Sequence, residues 1–160
     1  MLEASVCAAK EITEVNMDEQ VSAFLKRYVA ANMSADGSAV ADLYAEIFLF
    51  GGPKGTQTVK KEDLAKAIPG MKAHFAAMGL SETHLESASA TVLDSRYVLV
   101  KAGWTMSIQN SARAITRVDT FATYLLERKS DTFFIVLQID HQDLATVIRS
   151  SVAEEAAQHD

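Results

Sequence analysis

Residues 96–140 read "RYVLVKAGWTMSIQNSARAITRVDTFATYLLERKSDTFFIVLQID", with apolar side chains recurring every second position and breaks only at "NSA" and "KSD". A period of two is that of a β-strand, and linkers of this length suit hairpins, so the stretch predicts three consecutive antiparallel strands. "THLESASATVLD" at 83–94 has the same period and joins through "DS", which extends the meander to four strands. The alternation is not clean. Val98, Val100, Ala102, Trp104, Met106 and Ile108 make one wholly apolar face, yet Tyr97 and Leu99 lie on the other. In the last strand Phe133, Ile135, Leu137 and Ile139 face one way while Phe134 and Val136 face the other. A sheet with one wet face would be polar on that side. The second apolar face therefore predicts cover, most simply by a second copy in a homodimer through the outer sheet face.

Upstream of residue 83 the period is helical. In "NMDEQVSAFLKRYVAANM", Val21, Phe24, Leu25 and Tyr28 follow a 3.6-residue repeat, with Asn16 and Glu19 spaced as a capping box, which predicts a helix over 17–32. "AVADLYAEIF" predicts a second, short helix, with Val40, Leu43, Tyr44 and Ile47 on one side. "KKEDLAKAIPGMKAHFAAMG" predicts a third, which Pro69 should kink or split by removing the bond to the Ala65 carbonyl. After Leu144, Val147, Ile148 and Val152 predict a closing helix that frays into a polar end. The expected architecture is α+β: a curved antiparallel sheet of four to six strands wrapped as a cone around three N-terminal helices, plus a C-terminal helix. Residues 1–16 form an N-terminal extension, 17–143 the domain, and 144–160 the closing helix and tail.

Composition narrows the function classes. A chain of 160 residues, 49% hydrophobic and 22% charged, has the make-up of one folded domain. The net charge of −6 repels phosphate backbones, so no nucleic-acid partner is expected. No apolar run reaches the ~20 residues of a membrane helix, and Glu3 stands where a secretory signal would be basic. The single Cys7 has no internal partner. A cytoplasmic protein is therefore expected. No phosphate loop, nucleophile motif or metal-binding helical spacing is present around Asp140, His141, Asp143, His74 or His84, so neither cofactor nor metal is expected.

The order helix, helix, short Gly/Pro strand, helix and four long strands resembles the nuclear transport factor 2-like superfamily of cystatin-like folds. That superfamily includes the SnoaL-like polyketide cyclases and the ketosteroid isomerases. "KRYVAA" at 26–31, "ADLYAEIFLFGGPKG" at 41–55 and "FFIVLQIDHQD" at 133–143 carry the resemblance. It implies a dimer through the sheet and a pocket in the cone, with Tyr28 at the place of the isomerases' oxyanion donor. The isomerases' general base falls on Gly51 and Gly52, and their second acidic donor on Ala122, so isomerase chemistry of that kind lacks its base. The cyclase pattern instead implies an acid–base role for Asp140, with Gln138 where the family has His.

Asp140 and His141 are strand neighbours and point to opposite faces. The family pattern puts Asp140 inward. Periodicity puts His141 inward, with Phe133, Ile135, Leu137 and Ile139, unless a bulge changes the phase. Asp140 would also serve as the N-cap of the closing helix. The candidate catalytic residues are thus His141, Asp140 and Tyr28, and the candidate ligand-lining residues are Tyr44, Phe48, His74, Trp104 and Met106. Two functions follow: a binder of a small apolar or cyclic ligand, with cyclase-, isomerase- or hydratase-type acid–base chemistry, or a non-catalytic homodimeric association module whose cone is only core.

Overall fold

The computed structural model describes residues 19–34 and 36–157. Helix α1 runs from the first of these to residue 33, and its buried residues Val21, Phe24, Leu25 and Tyr28 form the expected stripe. The expectations for residues 1–16, including Cys7 and the Asn16 cap, lie outside the described residues.

The second helix is shorter than predicted. Helix α2 spans only Gly37–Ala41, capped by Asp36, whose carboxylate accepts from the Ser38 N–H at 2.9 Å. Residues 44 onward are strand β1, Tyr44–Gly52. Strand β2, Gly55–Lys60, pairs with it antiparallel, and strand β6, Thr132–Asp140, pairs with it parallel. A ladder on each side outweighs a weak helical period, and Tyr44 and Phe48 become inward residues of a strand.

Helix α3, Lys61–Ala77, continues through Pro69 without splitting. The Ala65 carbonyl, which Pro69 deprives of its helical donor, points towards Gly37 of α2. A Cβ on Gly37 would run into that carbonyl and would lie 3.2 Å from Ile68 Cβ. Glycine is what allows α2 and α3 to touch.

Strands β3 (Leu80–Val92), β4 (Tyr97–Gln109) and β5 (Ile115–Lys129) complete the meander with β6. The six-stranded order is β2-β1-β6-β5-β4-β3, antiparallel at every pairing except β1 with β6. The concave face holds the core. Phe24 meets Phe133 edge-on at 6.4 Å, and Val98, Val100, Leu126 and Ile135 are fully buried beneath the helices. Each such side chain contributes roughly 1.5–3 kcal/mol relative to exposure. Helix α4, Leu144–Ala157, packs on β4 and β5. Inward Met106, Ile108 and Thr120 are buried there with Ile148, whereas outward Arg117 and Asp119 are exposed. The closing helix thus covers the concave face at the end that α1 leaves open.

Candidate functional site

The phase of β6 decides which chemistry enters the cone. Leu126 pairs with Ile135 but Leu125 pairs with Leu137, so Val136 is an extra residue in β6. This is a β-bulge, and it inverts the in/out order of everything after it. Phe133 and Ile135 point into the core as expected. Beyond the bulge the inward residues are Gln138, beside buried Tyr124, and Asp140, beside buried Ala122. Leu137, Ile139 and His141 turn to the convex face. Unbroken periodicity put His141 in the cone; the bulge puts Asp140 there instead.

Asp140 ends a hydrogen-bonded chain. The Tyr44 hydroxyl donates to Gln138 Oε1 at 2.5 Å, and Gln138 Nε2 donates to Asp140 Oδ1 at 2.9 Å. Tyr28 and Tyr44 oxygens lie 3.2 Å apart. Because the Tyr44 proton is committed to Gln138, Tyr28 is the donor in that contact. Tyr124 extends the cluster, its hydroxyl interacting with that of Tyr28 and with the Trp104 indole N–H. The rings are packed as well: Tyr28 meets Tyr124 edge-on at 5.5 Å and Trp104 at 6.0 Å, and Phe48 lies 4.5 Å from Tyr44.

The electrostatics follow from burial. Loss of water raises the Asp140 carboxyl above the usual carboxylate range, against the lowering effects of the Gln138 hydrogen bond and of His141. Desolvation raises Tyr28, Tyr44 and Tyr124 too, Tyr44 and Tyr124 strongly, and the charge of Asp140 adds to this in all three. Asp140 itself is half-buried, as are Gln138, Phe50, which stands in register with Gln138, and Trp104, which reaches Tyr124. Gly52, at the end of β1, lies against the backbone carbonyl of Asp140.

Other candidates fall elsewhere. Tyr28, Tyr44, Phe48 and Trp104 join Asp140 in one cluster. Met106 is buried under the opposite end of the sheet, and exposed His74 lies 5.8 Å from the ring of its neighbour Phe75. His141 is exposed on the convex face, its Nε2 2.7 Å from Thr123 Oγ1. With Lys101, Phe121, Ser87 and Ser89 it borders a shallow hollow of about 390 Å³ over Gly103. The closing helix is capped by Asp143 rather than Asp140: Asp143 accepts from the Thr146 hydroxyl at 2.5 Å and pairs with Lys54 at 3.6 Å. Sequence reasoning missed Tyr124, although its phase with Ala122 and Leu126 already marked it as inward.

With this geometry in place, comparison with known proteins is informative. The family described as NTF2-like protein (DUF6841) matches residues 14–143. The chain belongs to that NTF2-like family. No curated protein matches. Among solved structures, an NTF2-like protein with a cystatin-like fold from Novosphingobium aromaticivorans is 16% identical, with a TM-score of 0.68 over 89% of this chain and 93% of that one. A ketosteroid isomerase-like protein from Erwinia carotovora atroseptica is 16% identical, with a TM-score of 0.60 over 77% and 93%. A Xanthomonas campestris protein named for the calcium/calmodulin-dependent protein kinase II association domain is 14% identical, with a TM-score of 0.59 over 78% and 86%. At such identities these likenesses establish the NTF2-like fold alone. Among the described residues of this NTF2-like chain, no helix is long and apolar enough to cross a membrane, and no three His, Cys, Asp or Glu side chains converge as a metal site.

Proposed function

We propose that the cone binds a small apolar or cyclic molecule at its rim, with Asp140 as the acid–base group of a cyclase-, isomerase- or hydratase-type reaction. The observation that carries this reading is a half-buried carboxyl, raised by desolvation, at the end of the Tyr28–Tyr44–Gln138 chain. A carboxylate in that state is a stronger base than one in water. Gln138 holds one of its oxygens and leaves the other to reach a substrate proton, and Tyr44 fixes Gln138. Tyr28, committed to Tyr44, acts as a positioning residue and does not itself touch the ligand. The isomerases' missing acidic donor at Ala122 has a cross-strand substitute, since Asp140 is the residue paired with Ala122.

The convex face favours a second reading, the homodimeric association module. Leu49, Leu137, Leu125 and Leu99 stand side by side across four strands, and Phe121 is 53% exposed beyond them. Such an apolar face suits a second copy. The test is a thermal-shift screen of the native protein and Asp140→Asn against small cyclic ketones, lactones and aromatic acids. The cone reading expects at least one compound to stabilise the native protein and to do so less in the variant. If none does, and light scattering gives a dimer, the association module stands in its place.

A further inference from the structure

We propose that the ligand taken at the cone rim is a protonated amine with an apolar body, its ammonium group paired with Asp140 and its hydrocarbon lying against Trp104 and Phe50. The inference rests on the cone-binding reading and narrows it to one chemical class. Asp140 Oδ1 is occupied by Gln138 Nε2. Among the described residues Gln138 is the only hydrogen-bond donor to this half-buried carboxylate, which leaves Oδ2 for a ligand. Charge is as telling as geometry. The groups facing Asp140 from the surrounding elements are the neutral hydroxyls of Tyr28 on α1, Tyr44 on β1 and Tyr124 on β5. The one basic side chain acting on the carboxylate among the described residues is His141, which points to the opposite face of the sheet. Lys54, in the turn after Gly52, is already paired with Asp143.

The rim therefore holds a carboxylate with an incomplete set of partners, on the same face as Phe50 and Trp104, and among the described residues no Lys or Arg acts on it. A desolvated anion gains most from a cation that supplies both charge and a hydrogen bond. Ring faces add attraction to the same cation. A metal is disfavoured by the lack of further ligands in reach. A neutral ketone or alcohol would leave the charge unbalanced.

Trp104 is the only tryptophan, so its emission reports on the rim directly. The experiment titrates the native protein at pH 7 with cyclohexylmethylamine and, separately, with its neutral isostere cyclohexylmethanol, following Trp104 emission. The amine is expected to bind at least about tenfold more tightly, as a charge-assisted bond is roughly twice as strong as a neutral one. Asp140→Asn should erase that preference. If the variant fails to fold, the native protein serves alone: amine affinity must fall as pH is lowered through the Asp140 titration, with His141→Ala showing the same profile. Equal or tighter binding of the alcohol overturns the amine class while leaving a ligand-binding cone. Silence with both probes overturns the two together, and an amine affinity untouched by Asp140→Asn or by pH refutes the pairing.

Discussion

Replacing Tyr44 by Phe removes one oxygen and breaks two contacts. Tyr44 is buried, donates to Gln138 Oε1 at 2.5 Å and accepts from Tyr28 at 3.2 Å. The phenylalanine ring keeps the packing against Phe48, so little apolar burial is lost. What remains is a buried Tyr28 hydroxyl without its acceptor and a Gln138 carbonyl without its donor. Leaving a buried polar group unpaired costs about 1–3 kcal/mol, which for a chain of this size corresponds to a fall in Tm of about 2–12 °C. Urea denaturation at pH 7, read by Trp104 emission and by circular dichroism, measures the cost. The double-mutant cycle with Gln138→Leu isolates the pair, with a coupling of about 0.5–3 kcal/mol expected for groups in one network. A Tyr44→Phe protein within about 0.5 kcal/mol of the native one, with no coupling to position 138, would refute the hydrogen-bonded chain and with it the positioning of Asp140.

Three further outcomes are expected. Because burial raises the Asp140 carboxyl, the folded state holds that proton more tightly than the unfolded one, so stability falls as pH rises from the ordinary carboxylate value through the raised one; Asp140→Asn should be more stable than the native protein at pH 7, and the gain should vanish below about pH 3.9 in parallel melts. Gly37→Ala should destabilise by about 1–3 kcal/mol in urea, since its Cβ has no room between Ala65, Ile68 and Pro69. On the convex face, Leu137→Arg should convert a dimer into a folded monomer of 17.4 kDa in light scattering; a native protein that is already monomeric at micromolar concentration would end the association reading.

The meander was legible because long strands of period two have few competing interpretations, and α1 because four apolar residues fall on one stripe. Residues 44–48 were not. Tyr44 and Ile47 fit a helical repeat, and only the presence of β2 on one side and β6 on the other makes that backbone a strand. The candidate site divides the same way. Tyr28 and Trp104 face the cone in phase with their own elements, and Tyr44 does so on a strand where a helix was expected. The choice between Asp140 and His141 turned on Val136, a residue whose type carries no mark of a bulge and whose extra length is visible only against the register of β5. Family pattern put Asp140 inward, whereas periodicity within one strand cannot see the kink.

That one-residue kink makes Asp140 and His141 alternatives for a single seat. A strand that took Val136 into regular register opposite Leu125 would keep Phe133 and Ile135 in place, turn Leu137 and Ile139 to the interior, and present an imidazole where this chain presents a carboxylate, whereas loss of residue 136 would leave Asp140 inward. The fold can thereby exchange an acid for a base at one address by a slip of register, with no substitution at position 140 or 141.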